Sequence, residues 1–276
     1  MKRVLFLAYL FPPITNSGTQ RSLKFAKYLG DYGWDPLVLT ASQFHGHPTD
    51  PDLLDELPAG LRVVRVPMLN ERIAQSLAAA LGSGRIARRI GDGVRWRLQN
   101  HRRPPDFHSW WRPTAFRAAM QLHQDTGFDA ILATGYPWTS LVTGGAVSKA
   151  TGVPLVADFR DLWAGEHLFR EDRPDAADEL ALERSVVEQA ARVVTASEGI
   201  ARHLAAAHPD VDAGKFVTVH NGFDPDDLDV PRAPRTADRR FRIVFTGVWK
   251  AGYNPAELYD AIEGIRSSSP ELLDGV

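Results

Sequence analysis

Seven short apolar runs alternate with stretches of helical periodicity, and this alternation leaves the chain few folds to choose from. The runs are RVLFLAY (3–9), DPLVLTA (35–41), LRVVRV (61–66), FDAILATG (128–135), GVPLVADF (152–159), ARVVTAS (191–197) and KFVTVHN (215–221). Continuous apolar character, rather than apolar–polar alternation, marks strands covered on both faces, as in a parallel sheet. Residues 19–33 carry Leu23, Phe25, Ala26 and Leu29 at helical spacing and end at Gly30 and Gly33. Further helices are expected over about 137–151, from Pro174 to about Gln189, and between the last two runs. Strands alternating with helices of this length predict an α/β fold, a Rossmann-like, doubly wound parallel sheet.

The same pattern sets the domain boundaries. Residues 1–224 make one complete domain, and PDDLDVPRAPRTADRR (225–240) reads as a linker, rich in Pro, Asp and Arg and without periodicity. The strand–turn–helix pattern then restarts in FRIVFTGVWKAGYNPAELYDAI, so residues 241–276 are expected to be the first strand and helix of a truncated second Rossmann-like domain. The first apolar run, Val4 to Phe11, ends at Pro12-Pro13 without a small-residue cleavage site, so it reads as a buried strand rather than a secretion signal. No stretch approaches the roughly 20 apolar residues of a membrane-spanning helix.

Residues 70–112 interrupt the alternation. Within them Ile86, Ile90, Val94 and Leu98 recur every fourth position, which predicts a helix. Seven arginines, among them Arg85, Arg88, Arg89, Arg95 and Arg97, face one acid, Asp92, between 85 and 103. The chain as a whole is near neutral, with 32 basic and 34 acidic residues, so this excess is local and nothing points to nucleic acid. A basic amphipathic helix suits an anionic membrane surface; the plainer reading is a helix packed on the domain with a solvated arginine face.

In open α/β sheets ligands gather beyond the C-terminal ends of the strands, so the loops there are the candidates. The loop LFPPITNSGTQRS (10–22) is not the dinucleotide Gly-x-Gly-x-x-Gly pattern, but it sets Gly18 before a helix whose N-terminus can receive an anionic group. Tyr136 and Trp138, in TGYPW, can line a pocket or pack at its rim. The densest cluster is ADFRDLWAGEHLF (157–169), where Asp158, Arg160, Asp161 and Glu166 surround Trp163 directly after an apolar strand. Charges there must be paired to be buried, and Arg160 with Asp158 or Asp161 offers such a pair. Structural ion pairing is the competing explanation of that cluster. His220 ends the last strand and either reaches the crevice or sits at a domain edge. No metal site is expected: cysteine is absent, Asp224-Pro225-Asp226 opens the linker rather than closing a strand, and the His45-Gly46-His47 stretch has no evident third ligand.

FPPITNSGTQRSLKFAKYLGDYGWDPLVLT, PDFHSWWRPTA, FDAILATGYPWTS, GVPLVADFRDLWAG, LERSVVEQAARVVTAS and VHNGFD, in this order and spacing, resemble the N-terminal half of a family 4 glycosyltransferase. DFRDLW is similar to the branch found in bacterial polysaccharide and lipid-linked sugar assembly. The resemblance implies a GT-B fold, two Rossmann-like domains with the acceptor on the first and the nucleotide-sugar donor on the second. It implies retaining, metal-independent hexosyl transfer to a glycan or lipid-linked acceptor, with no cofactor, in cell-surface polysaccharide or glycolipid synthesis. The corresponding location is cytoplasmic, peripheral on the inner face of the membrane. Most of the donor domain is missing from these 276 residues, so the chain alone is expected to be inactive.

The resemblance also implies roles. Gly18 falls at the glycine loop near the donor phosphates, and Arg160 falls where many relatives carry a histidine beside the reacting sugar, with Asp161 next to it. Arg160, Asp161 and Asp158 are therefore the candidate catalytic groups, and the departure at Arg160 leaves any base unassigned. Gly247 and Lys250, in TGVWKAGYNP, correspond to the donor-phosphate turn of the second domain, and Tyr136, Trp163 and Glu166 are placed on the acceptor side. Two other readings are a non-hydrolysing nucleotide-sugar epimerase and a non-catalytic fragment that binds glycan or lipid.

Overall fold

The computed structural model describes residues 1–42, 47–81, 89, 93, 104–164, 174–228, 244–246 and 255–273. It divides into two compact units, Met1–Asp224 and Pro225–Val276.

In the first unit the apolar runs become β1 (Lys2–Ala8), β2 (Trp34–Ala41), β3 (Arg62–Val66), β4 (Ala130–Gly135), β5 (Leu155–Phe159), β6 (Arg192–Thr195) and β7 (Phe216–Thr218). They form one sheet in the order β3-β2-β1-β4-β5-β6-β7, and every pairing is parallel. The helices are α1 (Ser17–Tyr28), α2 (Leu69–Leu81), α3 (Arg112–Thr126), α4 (Thr139–Thr151), α5 (Ala176–Gln189) and α6 (Glu198–Ala207). This is the doubly wound α/β architecture that the periodicity predicts.

Alternation along β1 divides the core. Leu5, Leu7 and Tyr9 join one apolar cluster with Ala115 and Ala119 of α3 and Leu141 and Val147 of α4. Phe6 and Ala8 join the other, with Ala26 of α1 and Val38 of β2. Both sides of β1 are dry, which is why the strand reads as an unbroken apolar run. Helix α4 lies close against the sheet: a Cβ on Gly144 would come within 2.7 Å of the Ala133 Cβ. Turn chemistry ends the elements as expected. Gly33 at φ 79° follows the short turn Leu29–Tyr32 after α1, and Gly152 at φ 74° caps α4.

Strand order reverses between β1 and β4, so the crevice at their C-terminal ends is the topological switch point of the sheet. The elements that build it are the loop before α1, the segment before α3 and the loops after β4 and β5.

In the second unit, helix α7 (Ala256–Ser268) forms as the pattern predicts. Val244–Thr246, expected within a strand, carries no strand pairing, and Val244 and Phe245 are exposed. Among the described residues no helix is long and apolar enough to cross a membrane.

Candidate functional site

At the end of β5 the Asp158 carboxylate is fully buried, and its partner is Arg21 of α1 rather than Arg160. Arg21 Nε donates to both carboxylate oxygens at 3.3 and 3.1 Å, and Nη2 donates to Oδ1 at 2.8 Å. Thr134 Oγ1, one strand away, donates to Oδ2 at 2.8 Å. Arg21 Nη1 then reaches the carbonyl of His220 and Oδ1 of Asn221, so one guanidinium ties α1, β5 and the segment after β7 together. His220 contributes that backbone carbonyl, while its residue is exposed. Asp158, expected among the catalytic groups, therefore belongs to the scaffold, with no face left for a substrate.

Arg160 points elsewhere. Its Nε donates to the Gly135 carbonyl at 2.7 Å and its Nη2 to the Tyr136 carbonyl. The guanidinium lies directly on Gly18: a Cβ there would come within 2.9 Å of Arg160 Cζ and closer to Nη1. The glycine in the first loop thus makes room for a side chain of the protein itself. Asn16 Oδ1 accepts from the Gly18 amide at 2.9 Å and opens α1. Burial pushes the Arg160 pKa down; Asp158 and Asp161 oppose this and Arg21 adds to it, with a net lowering. An arginine remains a cation through such a shift. Arg160 has no ion pair among the described residues, and a helix N-terminus beside it adds positive potential. Asp161 is exposed and has no hydrogen-bond or ion-pair partner among the described residues.

Beside this cation, aromatic and acidic groups close over the switch point. Tyr9 is buried at the end of β1; its amide donates to Ser140 Oγ at 3.3 Å and its carbonyl accepts from Thr40 Oγ1 at 3.1 Å. The His108 ring meets the Tyr9 ring edge-on at 4.3 Å between centroids and the Tyr136 ring at 5.8 Å. The His47 ring stacks on His108 at 6.1 Å. Asp106, buried, accepts from the amides of His108 (2.8 Å) and Thr139 (2.9 Å) and from Thr139 Oγ1 (2.7 Å). Its Oδ1 lies 3.6 Å from His108 Nδ1, an ion-pair rather than a hydrogen-bond distance. Burial pushes the Asp106 carboxyl up, but the His108 ring and the Thr139 bonds outweigh it and hold the group below its ordinary value. Burial, and then His108, lower the His47 pKa. Burial, aided by Glu71, Asp106 and Tyr136, raises that of Tyr9.

Trp163, expected on the acceptor side, is 2 % exposed. It stacks on Trp138 at 5.3 Å with the rings 3° from parallel, and its indole N–H donates to Glu179 Oε2 at 3.1 Å. Glu183, one turn further along α5, accepts from the Ala164 amide at 2.8 Å and lies 3.2 Å from His208 Nε2. Trp163 therefore anchors the loop after β5 to α5, and its faces are not open to a ligand. Tyr136 is half-buried at the crevice. Glu166, Gly247, Lys250, Arg85, Arg88, Arg95 and Arg97 lie outside the described residues; Arg89 is exposed. Asp224 is engaged by Lys24 and Lys27, at 2.8 and 2.9 Å, and by the Tyr28 hydroxyl at 2.7 Å.

Sequence reasoning missed Arg21, Asp106 and His108. Asp-x-His before a tryptophan pair, in PDFHSWWRP, was the available signal for the last two.

A seven-stranded parallel sheet flanked by helices, with a cation and polar aromatics at its switch point, defines a Rossmann-like α/β domain. The glycosyl transferase 4-like domain matches residues 18–222, and the chain belongs to that family. Among solved structures, the chain is similar to Anabaena Alr3699/HepE, in complex with UDP and glucose, at 17 % identity and a TM-score of 0.49, over 81 % of this chain and 45 % of that one. It is similar to Phytolacca americana UGT2, complexed with UDP-2fluoro-glucose and pterostilbene, at 12 % identity and a TM-score of 0.45, over 79 % and 52 %. The chain thus spans about half the length of these proteins. No curated protein sequence matches it.

Proposed function

We propose that this chain is the acceptor-side portion of a glycosyltransferase that moves a hexosyl group from a nucleotide sugar to a glycan or lipid-linked acceptor. Residues 1–224 are the acceptor domain, and residues after the 225–240 linker begin the donor domain. Transfer proceeds with retention and without a metal, and the site of action is the cytoplasmic face of a membrane, in cell-surface polysaccharide or glycolipid synthesis. Family membership supports sugar transfer. The observation that carries the reading to this site is Arg160, seated on Gly18 beside the start of α1 and without an ion-pair partner among the described residues. Guanidinium and helix N-terminus together favour a diphosphate, and they stabilise the charge that grows on it as the sugar leaves. In this reading exposed Asp161 orients sugar hydroxyls and Tyr136 bounds the acceptor.

Donor affinity tests the reading. In a protein that joins these residues to a complete donor domain, Arg160→Ala is expected to weaken binding of the preferred nucleotide sugar about tenfold or more by calorimetry, as loss of a charge-assisted phosphate contact should. Unchanged donor affinity in R160A contradicts the assignment.

A further inference from the structure

Carbonyls, not charges, hold Arg160 among the described residues. Its amide and its Nε both donate to the Gly135 carbonyl, at 3.4 and 2.7 Å, and its Nη2 donates to that of Tyr136. The guanidinium therefore keeps its place only while the loops after β4 and β5 keep theirs. Two tryptophans fasten these loops together. Trp138, from the loop after β4, covers Gly135, where a Cβ would come within 2.7 Å of its Cε3. Trp163, from the loop after β5, stacks on Trp138 with the rings 3° from parallel. The two loops thus meet twice, through Arg160 on the carbonyls and through the indole pair.

What fixes the indole pair comes from outside both loops. Glu179 of α5, buried, accepts the Trp163 ring N–H at 3.1 Å. One turn further on, Glu183, also buried, accepts the Ala164 amide at 2.8 Å. Apolar packing grips an indole by its faces and leaves it able to slide in its own plane. A hydrogen bond to the ring N–H removes that freedom, and it offsets part of the cost of burying an acid there.

We propose that Glu179 is a positioning residue for the donor diphosphate: by fixing Trp163, it holds the loops after β4 and β5 in the register that seats Arg160 on Gly18. The inference rests on the reading of Arg160 given above. Glu179 acts on the donor only through Arg160. A residue that merely stabilised the fold would act equally with and without that arginine, and a double-mutant cycle separates the two cases.

Donor affinity is measured by calorimetry in a protein that joins these residues to a complete donor domain, with a panel of uridine, guanosine and thymidine diphosphate hexoses. Glu179→Leu is expected to weaken the best-bound donor about fivefold, the equivalent of one lost hydrogen bond. In the Arg160→Ala background the same substitution should change affinity by less than about twofold, because the two residues belong to one network. Glu179→Gln should stay within about twofold of the parent, since an amide oxygen accepts the same N–H. Trp163→Phe keeps a stacked ring without the N–H, and it carries the cycle if E179L does not fold. Near-ultraviolet circular dichroism of the 276-residue chain reads the indole pair without any ligand, and the spectrum should change in E179L and return in E179Q. Equal losses of affinity in both backgrounds, no loss in either, or an unchanged spectrum in E179L overturn the positioning role alone. Parent-like donor affinity in R160A overturns the underlying reading and this inference with it.

Discussion

Two carboxylates are buried at the same end of one sheet, and they differ in what holds them. Asp158 faces Arg21, a permanent cation whose side chain is itself only 7 % exposed. Asp106 faces the His108 ring at 3.6 Å and is otherwise held by neutral donors. The first arrangement is a forked ion pair whose guanidinium also reaches the chain beyond β7, so it serves as a brace between α1, β5 and that segment. The second has no permanent cation against the acid and spans the segment before α3 and the start of α4. Equal burial therefore hides a difference in kind, an ion pair in one case and neutral hydrogen bonds in the other.

The comparison can be broken at either end. Asp158→Asn is expected to have the largest effect on stability. It leaves the Arg21 guanidinium buried beside an amide, and losing one member of a buried pair costs about 3–5 kcal/mol. Urea unfolding measures it, and a loss under about 1 kcal/mol means the brace is not needed. Asp106→Asn should cost less, roughly 1–3 kcal/mol, because neutral donors remain to be satisfied. Its signature is the pH dependence. A folded-state pKa held below the ordinary value contributes stability that is complete above about pH 4 and lost as pH falls through the lowered value. D106N should therefore lose less stability than the parent between pH 6 and pH 3, and parallel curves would show that Asp106 makes no such contribution. Gly18→Ala should cost a comparable or smaller amount, about 1–2 kcal/mol, since moving the arginine aside breaks its hydrogen bonds to the Gly135 and Tyr136 carbonyls. It should nevertheless displace Arg160 and weaken donor binding, which calorimetry on the same variant resolves.

Much of the scaffold was legible because the physics is local. Unbroken apolar runs mean strands buried on both faces, and Gly33 and Gly152 end their helices where left-handed backbone is needed. The site was harder, because its pairings are distant. Asp158 and Arg160 are two residues apart, which made them look like a pair, whereas the true partner, Arg21, lies 137 positions away and is delivered by the packing of α1. Trp163 looked available because it follows a strand end; only the position of Glu179 on α5 shows that its indole is already bound. Gly18 was read as room for an anion, and the structure puts the Arg160 side chain there. His108 acquires its surroundings from β1, the segment after β2 and the loop after β4 at once, so no single stretch of sequence announces it.

The most direct measurement is transfer itself. A protein that joins these residues to a complete donor domain is incubated with individual nucleotide sugars and membranes of its source, and the anomeric proton of the product is followed by NMR. A new glycosidic bond with the configuration of the donor is the result predicted here. A folded protein that binds nucleotide sugars and moves none of them to any acceptor contradicts the account.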